Sequence, residues 1–249
     1  MVYDEKEIMD IVARILGDNA TGVYIHEDVV NRDISYDDAD LISTIGDNPW
    51  YINNIDDFEI MYGMTKLCIY PLSKKIPWVI KIPITGVYRH GEDEDEEYAD
   101  DSIANKVGMA ERNVCDEEIA IYENSSSDIQ TIMVKNYYVG EYNNIPIYIQ
   151  EKVYECDGDC GQHSKYGYLP NILINEINFL MDINSDINDE DFVYNVILSY
   201  GITKAVEIFN ELDDIDDLHS KNYGYNSKGE AVIFDYAGYD FGQYSFDVA

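Results

Sequence analysis

The sequence predicts an α+β chain of two lobes: an antiparallel-sheet lobe carrying one key helix, then a short, mostly helical lobe that closes on a hairpin. Three observations predict it. β-forming runs crowd residues 58–84 and 131–153, with one helical segment between them. Apolar residues at helical spacing dominate residues 170–212. Two short β runs around Asn226-Ser227-Lys228-Gly229 then read as a hairpin. At 249 residues and 46% hydrophobic composition the chain can bury a core in each lobe.

Glu5 to Leu16 places Ile8, Ile11, Val12, Ile15 and Leu16 on one helical face, stopped by Gly17. A second short helix is expected over Asp37–Ile45, stopped by Gly46 and followed by an Asp47-Asn48-Pro49 turn, so residues 1–56 read as a helical extension. Phe58–Tyr62 and Lys66–Tyr70 are strands flanking Gly63, and Pro71–Pro77 is a turn region. Trp78–Ile84 is an apolar strand with one lysine, Lys81, in its middle. Gly91–Ser102 holds eight acids in twelve positions and reads as a solvated loop. Asn113–Asn124 is a helix, and strands are expected over Thr131–Val139 and Ile145–Val153, completing a lobe over 57–153.

The lobe over 154–249 opens with a helix across Pro170–Asp182 and continues with one long helix, Asp191–Leu212, capped by Asn188 or Asp189. The acids and amides from Asp182 to Asn188 alternate as in a calcium loop. Ile187 stands where such a loop needs Gly and Val193 where it needs Glu, so the segment is a capped linker. Tyr223–Tyr225 and Ala231–Phe234 form the closing hairpin.

Fifty acids against 16 bases give a net charge of −34, a surface that repels nucleic-acid phosphates and argues against direct nucleic-acid binding. The charge fits ordinary solubility, or a surface that imitates nucleic acid and occupies the groove of a basic protein partner. No apolar run spans a bilayer and the acidic N-terminus lacks a signal-type run, so a cytoplasmic protein without membrane contact is expected. The four cysteines are expected as thiols. Cys156, Cys160 and His163 supply part of a metal-ligand set, but no clear fourth ligand accompanies them and Asp157-Gly158-Asp159 reads as a simple turn.

The chemistry concentrates in Asp217-Leu218-His219-Ser220-Lys221-Asn222 and the hairpin after it, whose second strand runs into Asp235. A tight hairpin brings Asn222 and Asp235 to one end, as hard oxygen ligands suited to magnesium. Asp217 is then left to orient or deprotonate an attacking hydroxyl. This segment resembles the catalytic loop of protein kinases, and more closely the Asp-Leu-His-x-x-Asn form of the aminoglycoside-phosphotransferase-like kinases. Asp235-Tyr236-Ala237-Gly238 resembles the Asp-Phe-Gly motif that follows it. The chain is also similar to short kinase-like proteins encoded by bacteriophages.

The resemblance implies a bilobal kinase-like fold binding ATP and Mg, with Asp217 as catalytic base, Asn222 and Asp235 as metal ligands and His219 in a supporting role. It implies that Lys81 binds the ATP phosphates and that backbone groups near Glu151 and Val153 bind adenine. A lysine inside an apolar strand needs an acidic partner. Glu118 on the following helix is the first choice, because Tyr122 four residues on continues its face; Glu117 is the second.

The sequence also departs from the family pattern. Gly63 alone stands where a glycine-rich phosphate loop carries several glycines, and Ile215-Asp216 replaces the usual pair before the catalytic aspartate. Only 14 residues follow Asp235, so a minimal C-lobe is expected, with no activation loop or peptide platform. Two functions follow. One is an ATP/Mg-dependent phosphotransferase acting on an unknown protein or small-molecule acceptor. The other is a catalytically weak or inactive kinase-fold binding protein, in one version an acidic inhibitor of a host nucleic-acid enzyme of anti-restriction or anti-CRISPR type.

Overall fold

The computed structural model describes residues 3–26, 42–45, 48–51, 55–62, 65–88, 113–154, 174–183, 190–212 and 222–237. The fold is mixed α+β and divides into two compact units. The first comprises Met1–Asp116, Tyr137–Ile149 and Asp240–Ala249; the second comprises Glu117–Asn136 and Gln150–Tyr239.

The first unit opens with helix α1, Glu5–Leu16. Asp4 caps it by accepting from the Lys6 and Glu7 amides, and Glu5 and Glu7 in the first turn complement the helix dipole. Ile8, Ile11, Val12, Ile15 and Leu16 are buried, so the face predicted from spacing is the face that packs. Strands β1 (Gly22–His26), β2 (Ile42–Ile45), β3 (Asn48–Tyr51) and β7 (Gly86–Tyr88) form a small sheet in the order β3-β2-β1-β7. The helix expected over Asp37–Ile45 is therefore corrected over Ile42–Ile45. Ile-Ser-Thr-Ile is rich in β-branched residues and pairs with strands on both sides. Asn48 and Pro49, expected in a turn, lie in β3. Residues 1–56 thus contain one helix and three strands among the described residues, not helices alone.

The larger sheet is five-stranded and antiparallel. Its strands are β4 (Phe58–Tyr62), β5 (Lys66–Pro71), β6 (Trp78–Pro83), β8 (Asn136–Tyr142) and β9 (Ile145–Glu151), in the order β4-β5-β6-β9-β8. Three strands run as a meander; the later hairpin returns so that β9, not β8, lies against β6. Strand β6 is thus central and every one of its residues is buried. That explains its continuous apolar run in place of an in/out alternation.

In the second unit, helix α2 (Val114–Asn124) continues from the first. The strand expected from Thr131 starts only at Asn136. Ile129–Ile132 is instead a helical turn, α3, because the Ser126 hydroxyl accepts from the Asp128 and Ile129 amides and bends the chain before it can extend. Helix α4 covers Ile174–Ile183. The single helix expected over Asp191–Leu212 is two helices, α5 (Glu190–Tyr200) and α6 (Ile202–Leu212). Gly201 separates them at φ 83°, its amide bonded to the Ile197 carbonyl. A side chain there would meet no neighbour, so it is the left-handed backbone that calls for glycine.

Strands β10 (Tyr223–Tyr225) and β11 (Ala231–Ile233) pair as the expected hairpin, with Tyr223 opposite Ile233. The core of this unit joins Phe192, Val196, Ile208, Phe209, Leu212, Tyr223, Ile233 and Tyr236. Among the described residues no helix is long and apolar enough to cross a membrane.

Candidate functional site

The closing hairpin is held from one side by α5. Phe192, Asn195 and Ser199 recur at three- and four-residue spacing, one face of that helix. Phe192 stacks on Tyr223 at 4.1 Å between ring centres. Asn195 donates to the Tyr225 hydroxyl at 2.8 Å, and Ser199 accepts from the Ala231 amide. Tyr200 donates to the Ala231 carbonyl at 2.8 Å; burial, with Glu230 nearby, pushes its phenol pKa up. Asn226 shapes the turn by accepting from the Lys228 and Glu230 amides, and Gly229 takes φ 75°. On its other side, β11 bridges to Met133 and the Val134 amide bonds the Ile233 carbonyl.

This scaffold brings Asn222 and Asp235 together at the open end. The Phe234 amide donates to the Asn222 carbonyl at 2.8 Å, one residue short of Asp235. Asn222 is 4% exposed. Asp235 is half-buried and sits at φ 56°, a conformation that non-glycine residues adopt at a cost and that concentrates at functional positions. The next residue, Tyr236, is fully buried and donates its hydroxyl to the Val134 carbonyl, anchoring the chain beyond Asp235.

Lys81 stands in the middle of β6 in the first unit, 3% exposed and opposite Cys68. Glu118 belongs to the second unit, on α2, and is fully buried; Glu117 is only partly so. The Glu118 carboxylate accepts a hydrogen bond from the Asn136 side-chain amide. In the first unit the start of α2 is fixed by a polar relay. Asn113 caps the helix by accepting from the Cys115 and Asp116 amides and donates to the Tyr148 oxygen at 2.6 Å. Tyr148 in turn donates to Asp116 Oδ1 at 2.7 Å. Burial, then the Asp116 carboxylate, pushes the Tyr148 phenol pKa well up.

Glu151 ends β9 and accepts from the Ser227 hydroxyl at 2.9 Å. Val153 packs with Val134 and Val232 in a small apolar cluster. Asp217, His219 and Gly63 lie outside the described residues, as do the acidic run Gly91–Ser102 and Cys156, Cys160 and His163.

Asn136 and Tyr148 are polar contributors that the sequence does not single out. Asn136 heads a strand whose burial does not alternate, and its partner lies 18 residues away, so periodicity carries no trace of it. Tyr148 was legible only as one β-former among several in its strand.

Among the described residues no cluster of three or more His, Cys, Asp or Glu could hold a metal ion. A magnesium ion that keeps most of its waters needs only one or two protein oxygens plus phosphate, and the Asn222–Asp235 end can supply those. A scan against protein-family models and a search of curated proteins find no match to this chain.

Proposed function

We propose that this chain is an ATP- and magnesium-dependent phosphotransferase of kinase-like fold. The observation that carries the reading is the end of the closing hairpin, where the Phe234 amide bonds the carbonyl of buried Asn222 and the next residue, half-buried Asp235, takes φ 56°. An acidic turn with no task has no reason to keep Asp235 in a left-handed backbone, when glycine would take it at lower cost.

The sheet adds support. Its order sets β6, with Lys81, directly against β9, whose last residue is Glu151. A phosphate-binding lysine and an adenine-binding strand end belong on neighbouring strands if one nucleotide is to reach both. In this reading Lys81 serves the phosphates with Glu118 as its carboxylate partner, Asn222 and Asp235 hold the magnesium, and Asp217 takes the acceptor hydroxyl proton. Magnesium, when bound, supplies charge neutralisation at the phosphates. The residues do the rest by alignment, which is most of what phosphoryl transfer requires.

Thermal unfolding with and without Mg·ATP tests it. Ligand at about 100 times Kd adds about 2.7 kcal/mol. For a chain of this size that raises the midpoint by about 5–10 °C. Asp235→Asn should abolish the rise. Asp217→Asn should keep it while ending release or transfer of the γ-phosphate. No stabilisation of the parent, together with an inert Asp235→Asn, would sink the enzyme reading. The net charge of −34 favours the second reading, an acidic inhibitor on the same scaffold. That would show as tight, salt-sensitive binding to a basic nuclease without nucleotide binding.

A further inference from the structure

Within the first unit, helix α1 and two backbone turns line a groove of about 500 Å³, a size typical of small-molecule sites. Glu7, Ile11 and Arg14 recur at helical spacing and form the α1 wall. The facing wall is tied by backbone bonds. The Phe58 amide donates to the Ile55 carbonyl and the Leu72 amide to the Asp57 carbonyl, both at 2.9 Å, and the Ile76 amide donates to the Ser73 carbonyl at 3.3 Å. This wall is therefore organised before any ligand arrives, which lowers the cost of binding. The lining is graded by burial. Ile11 is buried and Phe58 and Ile76 are half-buried, whereas Glu7, Asp10 and Asp57 are exposed, so an apolar base lies under a charged rim. Some of the rim charge is already committed. Asp4 accepts from the Lys6 and Glu7 amides at the helix cap, and Lys6 is paired with Asp10 at 2.6 Å. Glu7 from α1 and Asp57 from the facing turn supply one carboxylate from each wall, with Arg14 about two turns along the helix from Glu7.

We propose that this groove binds a small aliphatic polyamine. Its methylene chain lies on Ile11, Phe58 and Ile76 and loses water there at a gain. Its ammonium groups meet Glu7 and Asp57. A compact inorganic cation would use the carboxylates but not the base, and a purely apolar ligand would leave the rim unmatched. A cation with an aliphatic body answers both. The volume favours a small molecule over a folded partner segment. The groove takes no residue from the proposed phosphotransferase site, so the inference is independent of that reading.

The test is methyl NMR on the full chain with labelled isoleucines, titrated with spermidine at fixed ionic strength. The Ile11 and Ile76 methyls should shift together and saturate. Glu7→Gln combined with Asp57→Asn should weaken the dissociation constant about ten-fold. Glu207→Gln, which removes an exposed acid from α6 in the second unit, should leave it within about two-fold. Hexaamminecobalt(III) carries the same charge as spermidine without a methylene chain, and it should not saturate those methyls. Shifts that grow without saturating, parental affinity in the double variant, or equal saturation by hexaamminecobalt(III) would overturn the proposal. Each would reduce the response to the counter-ion atmosphere of a chain with net charge −34. A lysine-rich peptide that saturates these methyls at lower concentration than spermidine would overturn it too, by making the groove a protein-docking site. If the double variant does not fold, the comparison of spermidine with hexaamminecobalt(III) on the parent decides alone.

Discussion

Two hairpins in this chain use backbone of the same unusual kind in different places. In the β8–β9 hairpin of the first unit, Asn143 and Asn144 both take positive φ, 49° and 67°, at the tip of a two-residue turn, and both are exposed. The twist of paired strands asks for that geometry, so the irregular residues are explained by the turn alone. In the β10–β11 hairpin of the second unit, the turn takes its positive φ at Gly229, at no cost. The strained residue is Asp235, at the opposite end, beyond the last strand residue and beside buried Asn222. Nothing in strand pairing asks for it there. One hairpin has its irregular backbone at the closing turn; the other has it at the opposite end, next to the Phe234–Asn222 backbone bond, the end that the proposed function uses.

Removing the positive-φ side chain from each hairpin in turn separates the two. Asp235→Gly gives the left-handed position to the residue that accepts it most readily, so stability should stay within about 1 kcal/mol of the parent. The carboxylate is lost, and γ-phosphate release should fall on the order of 100- to 1,000-fold. Urea unfolding and an ATP turnover assay on the same preparation read both quantities. If turnover survives, the Asp235 end is only a strand exit and the two hairpins do not differ in kind.

The difference also governs what could be read in advance. The strands at Phe58–Tyr62, Lys66–Pro71 and Trp78–Pro83 announced themselves through β-branched and aromatic runs between turn residues. The closing hairpin was legible because Asn226 and Gly229 punctuate two β runs, and that was enough to bring Asn222 and Asp235 to one end. Helix α1 followed from spacing alone. The break at Gly201 was not legible, because apolar residues keep helical spacing through it and only the backbone angle records the stop. Ile42–Ile45 is too short for its period to show, and its partners decide it. Asn136 was hidden for another reason. Its value lies in a hydrogen bond to Glu118 on a different element, and no local pattern encodes such a pair.

The scaffold hairpin has one polar duty of its own, which pH can expose. Tyr148 on β9 keeps its phenol proton because it is buried and bonded to Asp116. Its folded pKa is raised above the unfolded value of about 10, so its contribution is complete below about pH 10 and is lost as pH rises beyond that. Each such proton costs about 1.4 kcal/mol of stability per pH unit in that range. Tyr200 in the second unit behaves alike, through burial and then Glu230. Tyr148→Phe should lose about 1 kcal/mol at neutral pH. It should also make the alkaline fall shallower by about 1.4 kcal/mol per pH unit. Urea midpoints from about pH 8 to about pH 11 give both. An unchanged alkaline slope would mean that the Tyr148 proton is not held by the fold.

The smallest effect belongs to the tip of that hairpin. Asn144 is exposed, takes φ 67° and follows Asn143, so Asn144→Gly writes the Asn-Gly pair that such turns favour most. Glycine loses more freedom on folding than asparagine but is at ease at positive φ, and the balance should be a gain of about 0.5 kcal/mol. Asn144→Ala keeps the turn without that ease and should cost about 1 kcal/mol. Neither change should alter the Mg·ATP response, whereas every substitution at Asp235 should. The control has force because the backbone angles are so close, 67° at Asn144 and 56° at Asp235. If relieving the angle were itself what changed nucleotide binding, both glycine variants would do it. If the carboxylate and its neighbour Asn222 are what matter, only Asp235→Gly will.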